Sequence, residues 1–338
     1  MSEPFLIGLV GARGYVGREL IRLVARHPEM MLAYAVSREW AGRPVREIAP
    51  EIADESVFEE MAPAAVARRR ADAVVLALPD GAGAAYVDAI EADAPHRVVV
   101  DLSADRRFDD AWSYGLPETR RVLAHAGREP AGPALAGATR IANPGCYATA
   151  MQIALAPLVG QRGGGLGGTP SVFGVSGYSG AGTTPGPRND PARLADNLLP
   201  YALVGHKHER EATRHLGAAV RFSPHVHPAF RGLCVTVDAP LAEAMDAAAL
   251  RALFEEAYAD EPMIRLADEP PGLADGAGIE GAIVGGFAVG ASDAGEGRRA
   301  ALVVAIDNLL KGAASQAVQN LNQALGLDEM AGLRGCAR

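Results

Sequence analysis

The chain is poor in cysteine, carries no excess of positive charge, and has no long hydrophobic run. Its three cysteines, Cys146, Cys234 and Cys336, are odd in number and far apart, which argues against a disulfide framework and fits a reducing compartment. A formal net charge of −9 removes any general nucleic-acid footprint and leaves room only for a local basic pocket. No stretch combines the length and apolarity of a membrane span. The start of the chain carries an acidic Glu3 and runs at once into a strand-like segment, unlike a signal peptide, so a cytoplasmic location is expected. Internal repeats and low-complexity tracts are also missing. What remains is ordinary for a globular enzyme, 49% hydrophobic and 22% charged, and 338 residues suffice for two domains with their own cores.

The most informative stretch is Asn143-Pro144-Gly145-Cys146-Tyr147-Ala148-Thr149-Ala150. Pro144 biases Asn143 toward an extended conformation, and Gly145 permits a sharp change of direction. From Tyr147 good helix formers run unbroken to Pro157, so Cys146 is placed where a turn becomes the first turn of a helix. Unpaired N–H groups and the positive helix end favour a thiolate there. An isolated cysteine is more often a small buried hydrophobe, so the rest of the chain has to decide.

Phe5 to Val10 reads as a buried parallel strand, and Gly11-Ala12-Arg13-Gly14-Tyr15-Val16-Gly17 follows it directly. Val16, Leu20, Leu23 and Val24 then recur at helical spacing. A glycine turn between strand and helix lets backbone approach a pyrophosphate, which the helix N-terminus holds. The G-x-x-G-x-x-G spacing is less common than G-x-G-x-x-G, but its position makes a dinucleotide site with Gly11, Arg13, Gly14, Tyr15 and Val16 the expectation. A second strand, Met31 to Val36, ends at Ser37-Arg38, where a site for the unphosphorylated ribose would carry an acid. A hydroxyl and a guanidinium suit a 2′-phosphate, so NADP(H) is the expected cofactor. Further strands are expected at Ala73 to Leu78 and Arg97 to Asp101. Pro79 and the stretch Asp101 to Arg107 then fall on the ligand-facing edge of the sheet.

Beyond the cysteine, Gly163 to Gly168 reads as an exposed loop, and Ser171 to Val175 as a strand leading into a small-residue loop, Ser176 to Pro185. Five of the eight histidines fall at 206, 208, 215, 225 and 227. An extended His206-Lys207-His208 would set both imidazoles on one face. One of them would then be a general acid/base for Cys146, or the pair would bind zinc with a third ligand from His225 or His227. At least three of the five are expected to be plain structural histidines. Strands at Leu233 to Ala239, Met263 to Leu266, Ala282 to Val289 and Ala300 to Ile306, a helix from Leu241 to Tyr258 and a hairpin turn at Asp293 to Arg298 complete an α+β segment. A last helix opens at Asp307 and is expected to pack back on the first domain. The expected fold is α/β: a Rossmann-like parallel-sheet domain over 1–143, completed by 307–338. An α+β catalytic and oligomerisation domain over 144–306 would carry a largely antiparallel mixed sheet. Dinucleotide turn, cysteine, basic strand-end cluster and histidines together point to an NADP-linked dehydrogenase acting through a thiolate. A zinc hydrolase and a non-catalytic NADP sensor stay open on the residues alone.

In order along the chain, GARGYVG, Ser37-Arg38 with Ala41-Gly42, DLSADRRF, YGLPE, NPGCYATA, FGVSGYSGAG, HKHERE, FRG and DNLLKGAASQ resemble the N-acetyl-γ-glutamyl-phosphate reductase family, related to aspartate-semialdehyde dehydrogenase. The HKHERE form is similar to the compact branch; many other members carry a proline before the last glutamate. The resemblance implies NADPH-dependent reduction of an acyl phosphate to a semialdehyde in arginine biosynthesis, with no metal. It makes Cys146 the thioester-forming nucleophile and His206 the acid/base, with His208 the rival. It makes Arg107 and Arg231 the grips on phosphate or carboxylate, although Arg106 shares the DLSAD-x-R site with Arg107. Asn143, His208 and Glu118 join the expected substrate contacts, and Pro79, Ser176, Gly177 and Asn308 the cofactor contacts, with Lys311 nearby. The same chemistry on an aspartyl or carrier-linked aminoadipyl phosphate is the nearest alternative. Homodimers or homotetramers are the implied assembly.

Overall fold

The computed structural model describes residues 3–52, 55–160, 165–291 and 298–337. In chain order the first elements are β1 (Phe5–Val10), α1 (Tyr15–Ala25), β2 (Met30–Val36), β3 (Phe58–Glu59), α2 (Pro63–Arg68), β4 (Ala73–Leu76), α3 (Ala84–Asp93), β5 (Val98–Asp101), β6 (Ser113–Tyr114), α4 (Pro117–His125) and β7 (Arg140–Ala142). Next come α5 (Cys146–Gly160), β8 (Ser171–Gly177), α6 (Pro191–Leu194), β9 (Leu199–Pro200), α7 (Lys207–Leu216), β10 (Arg221–His227) and β11 (Leu233–Leu241). The chain closes with α8 (Ala247–Ala257), β12 (Ile264–Ala267), α9 (Leu273–Gly276), β13 (Ala282–Ala291), β14 (Arg298–Ile306) and α10 (Ala314–Ala324). Among the described residues no helix is long and apolar enough to cross a membrane.

Two compact units result: residues 1–115, 132–145 and 313–333 in one, and 116–131, 146–312 and 334–338 in the other. The expected division kept 1–143 whole and assigned 307–338 to it. In the structure α4 joins the second unit, and the chain passes between units at Gly145/Cys146 and again at Gly312/Ala313.

The first unit is a seven-stranded sheet in the order β3-β2-β1-β4-β5-β7-β6, with every neighbouring pair parallel. Its strands β1 and β4 are apolar throughout because helices cover both faces. Helix α1 turns Leu20, Ile21, Leu23 and Val24 inward, and α10 packs against α1 and β5. Close packing sets limits here. Gly8 on β1 pairs with Tyr34 on β2, and a Cβ on Gly8 would lie 2.2 Å from the Tyr34 ring, which is itself buried. Gly8→Ala is therefore expected to cost about 1–3 kcal/mol through overpacking, read as a lowered urea midpoint. An unchanged midpoint would mean that Tyr34 swings aside freely.

The second unit holds a seven-stranded mixed sheet, β12-β13-β14-β11-β8-β10-β9. The pairs β12–β13 and β8–β10 are parallel and the others antiparallel. Helix α5 lies against β11 and β14 and is flanked by α4, α7 and α8. Its residues Tyr147 to Leu158 are all buried, as befits a helix apolar on every side. The core of this unit gathers Met151, Ile153 and Leu155 of α5 with Val172, Phe222, Val235, Leu302 and Phe254.

Several expectations change. The segment His206-Lys207-His208 is not extended: His206 caps α7 and the next two residues lie in its first turn. Residues 241–246 end β11 and lead to the cap Asp246, so the helix there begins at Ala247 rather than Leu241. Asp307 to Gly312 is a tight turn ahead of α10, not its first turn, because the Asp307 side chain accepts the Leu309 amide and its carbonyl accepts that of Gly312. The hairpin turn at 293–298 falls largely outside the described residues, as do 163 and 164 of the loop at 163–168; within the rest of that loop Leu166 bridges Leu241 and Gly167 and Gly168 are exposed. The flanking β13 and β14 do pair antiparallel.

Candidate active site

In the first unit the glycine turn joins β1 to α1 as the spacing predicts. Gly11 has φ +84°, and a Cβ on it would sit 2.2 Å from the Ala77 carbonyl oxygen. A Cβ on Gly17 would sit 2.6 Å from the Gly11 carbonyl oxygen. Gly14 caps α1 with no side chain over the helix end, and no acidic residue lies in the first turn. Bare backbone at a positive helix end is the cradle a pyrophosphate needs, so these residues fit a dinucleotide. At the end of β2, Ser37 is buried with its hydroxyl accepting the Trp40 amide, and Arg38 is exposed. Glu39, the acid that follows, pairs with Arg13 at 3.1 Å. The guanidinium groups of Arg18 and Arg43 lie over the Trp40 ring, 4.6 and 4.4 Å from its centroid. Tyr15 and Val16 open α1, and Pro79 is exposed just past β4.

Strand ends of the same unit are tied by Arg107. Its Nε donates to the Asn143 carbonyl at 2.9 Å and its Nη2 to the Leu102 carbonyl at 2.7 Å, so it bridges the ends of β7 and β5. Arg106 instead leans on Trp112 and pairs with Asp109 at 3.6 Å. The Asn143 amide donates to the Ala313 carbonyl and accepts from Asn320.

In the second unit Cys146 is half-buried as the first residue of α5. The turn at 307–312 comes against it so closely that a Cβ on Gly312 would lie 2.6 Å from the Cys146 Cβ. Buried side chains pin this turn. Lys311 Nζ donates to Glu118 Oε1 at 2.6 Å with both groups fully buried. Asp307 takes the Gly278 amide and pairs with Arg231 at 3.2 Å. Asn308 accepts the Gly232 amide and donates to the Ser179 hydroxyl. Glu118, expected to touch substrate, is thus the buried counter-ion of Lys311, and Arg231 is paired with a buried carboxylate. Ser176 and Gly177 end β8, where the Ser176 hydroxyl donates to the Gly177 carbonyl at 3.1 Å.

His206 is buried among aromatic rings: Tyr201 at 5.5 Å, Phe222 at 5.3 Å, His208 at 4.8 Å and Tyr147 at 6.4 Å between centroids. Its Nδ1 accepts the His208 amide at 3.1 Å, capping α7. A ring that accepts at Nδ1 carries its proton on Nε2 when neutral. Burial, then the nearby Lys207 and Arg188 charges, push its pKa down to about 4, so the neutral form prevails near pH 7. His208 is also buried, 6.2 Å from the Tyr147 ring. Residues 222, 224 and 226 point to the covered face of β10, so His225 and His227 project from the opposite face to the one His206 packs on. His225 stacks there on Phe173 at 4.4 Å. The zinc arrangement therefore does not assemble. Among the described residues no group of three mutually close donors includes a histidine.

The structure adds two residues absent from the sequence expectations. Tyr201 lies 5.5 Å from the His206 ring, and burial and then the charge of Cys146 raise its phenol pKa, as burial does for Tyr147. Arg188, exposed in the loop after Gly182, stacks on the Tyr201 ring at 4.8 Å, and its charge acts on the phenol. Thirteen positions separate the two across the short elements α6 and β9, and no periodic pattern connects them.

Comparison with known proteins agrees with this architecture. Residues 6–126 match the family described as semialdehyde dehydrogenase, NAD binding domain. Residues 146–308 match the semialdehyde dehydrogenase, dimerisation domain. The N-acetyl-γ-glutamyl-phosphate reductase of Xanthomonas campestris pv. campestris (strain B100) is 49% identical over 328 residues, 97% of this chain and 98% of that one. The enzyme of the same name from Stenotrophomonas maltophilia (strain R551-3) is 50% identical over 97% of this chain and 98% of that one. Among solved structures, aspartate semialdehyde dehydrogenase II from Vibrio cholerae, complexed with ASA, superposes with a TM-score of 0.73 at 18% identity over 96% of this chain and 99% of that one. Aspartate semialdehyde dehydrogenase with NADP from Candida albicans gives a TM-score of 0.66 at 17% identity over 98% of this chain and 99% of that one. These two share the fold. With the dinucleotide turn, the helix-opening cysteine and near-full-length identity of about one half, the chain belongs to the N-acetyl-γ-glutamyl-phosphate reductase family of semialdehyde dehydrogenases.

Proposed function

We propose that this chain catalyses the NADPH-dependent reduction of N-acetyl-γ-glutamyl phosphate to N-acetylglutamate 5-semialdehyde and phosphate, a step of arginine biosynthesis. The observation that carries the reading is Cys146 at the first position of a 15-residue buried helix, sharing its unit with a buried neutral His206, in a chain with this family's sequence. The Cys146 thiolate, favoured at the helix end, attacks the acyl carbon; the C–S bond forms, the C–O bond to phosphate breaks, and a thioester remains. Bound NADPH supplies the hydride that takes the thioester to the aldehyde level. The Nε2–H of His206 donates a hydrogen bond to the acyl oxygen as negative charge develops on it, and when the C–S bond breaks the carbonyl re-forms and the thiolate is restored. With Nδ1 committed to the His208 amide, His206 serves as a hydrogen-bond donor to the oxyanion rather than as the base that strips the thiol. Arg107 holds the strand ends of the first unit and is the proposed phosphate contact. Ser37 and Arg38 receive the 2′-phosphate, which makes NADP the preferred dinucleotide.

His206→Asn is expected to lower kcat about 10²- to 10³-fold, the usual weight of a donor to a developing oxyanion. Because the wild-type imidazole is neutral down to about pH 4, its protonation should not limit the rate between pH 5.5 and 7. A wild-type acid limb centred near 6.5 that vanishes in the variant would overturn the donor reading.

The assembly we propose is a homodimer in the cytoplasm. The second unit matches a dimerisation domain, and its sheet leaves Phe173 and Thr236 exposed on the face away from α5. The decisive assay runs in reverse: NADP⁺ reduction by N-acetylglutamate semialdehyde should require inorganic phosphate. Cofactor binding without such turnover would return the aspartyl and aminoadipyl phosphates, and then a sensor role, to consideration.

A further inference from the structure

We propose that Arg188, laid on the Tyr201 ring, binds the α-carboxylate of the substrate and sets selectivity for a carboxylated chain; this rests on the reaction proposed above. The substrate has two anionic ends, and one of them leaves from the carbon that Cys146 attacks. The other takes no part in bond changes and needs a cation set back from the thiol. Within the second unit the obvious cations are spent: Arg231 pairs with buried Asp307, and Lys311 with buried Glu118. Arg188 differs from them. It has no carboxylate partner among the described residues, and its contacts are with Tyr201. Tyr201 in turn lies 5.5 Å from the His206 ring and feels the charge of Cys146, and the Arg188 charge is felt at His206.

Position and chemistry agree. Cys146 is half-buried and His206 buried, whereas Arg188 is exposed, so it stands at the outer side of this cluster, where the unreactive end of a bound substrate would lie. Stacking on an aromatic ring orients a planar guanidinium and leaves an N–H edge to meet two carboxylate oxygens side by side. Lys207, the other cation felt at His206, offers only a point charge from the start of α7.

The test compares N-acetylglutamate semialdehyde with 4-acetamidobutanal, the same aldehyde without its carboxylate, in the phosphate-dependent reverse assay. Arg188→Met should raise KM for the carboxylated aldehyde about 30-fold, within the range for a hydrogen-bonded charge. The wild-type preference for that aldehyde over the analogue should collapse by a similar factor, while KM for phosphate moves less than twofold. Arg188→Lys should recover part of the loss. An equal rise in KM for both aldehydes, a rise in the phosphate KM instead, or no change overturns the assignment. A wild-type enzyme inert toward both aldehydes fails differently: the proposed reaction falls, and this inference with it.

Discussion

Cys146→Ser is expected to lower kcat by roughly 10⁴-fold, the scale seen when a covalent nucleophile is removed. A serine hydroxyl stays protonated where a thiol ionises, and the helix end that favours a thiolate cannot bridge that gap. The substitution is nearly isosteric at a half-buried position, so the urea midpoint should hardly move. Two readouts bear on it. Phosphate-dependent NADP⁺ reduction should vanish, and wild-type protein mixed with acyl phosphate but no NADPH should gain the mass of one N-acetylglutamyl group, absent from the variant. Near wild-type turnover in Cys146→Ser would eliminate the thioester route.

The second large effect concerns stability. Lys311→Met should cost about 3–5 kcal/mol, because it removes the ammonium that balances the Glu118 carboxylate in a fully buried place. Glu118→Gln should be milder, since an amide oxygen still accepts from the ammonium. Replacing both by Met and Leu should recover much of the loss, as an apolar pair avoids the desolvation of two charges. Denaturant titration of the three variants tests this, and a Lys311→Met cost below about 1 kcal/mol would show that water reaches the pair. Activity should fall further than stability explains in the double variant. The same turn places Gly312 against Cys146 and holds Asn308 on Ser179 and the Gly232 amide.

Much of the scaffold could be read in advance because its signals are local. The β1–turn–α1 unit needed only an apolar run, glycines where a Cβ would strike backbone, and a helical repeat. The start of α5 followed from Pro144, Gly145 and the helix formers behind them. The antiparallel strands β11 and β14 were found as apolar runs of ordinary strand length. Helix α7 was missed because its cap is His206, which is outside the usual Ser, Thr, Asp and Asn set, and because KHEREATRHL offers few apolar residues to mark a face. Helix α4 and the short strands β3, β6 and β9 went unread for want of a periodic pattern over so few residues.

By itself, then, the sequence determined the parallel dinucleotide unit, the mixed-sheet partner and the cysteine at a helix start, all of which follow from residues within a few positions of one another. The tertiary structure decided which polar groups are engaged. Glu118 and Lys311 meet across 193 positions, Arg231 and Asp307 across 76, and the proton on His206 is settled by a helix cap. A buried charge or imidazole takes its role from the partner that repays its desolvation, and that partner is chosen by folding in space, not by neighbourhood along the chain.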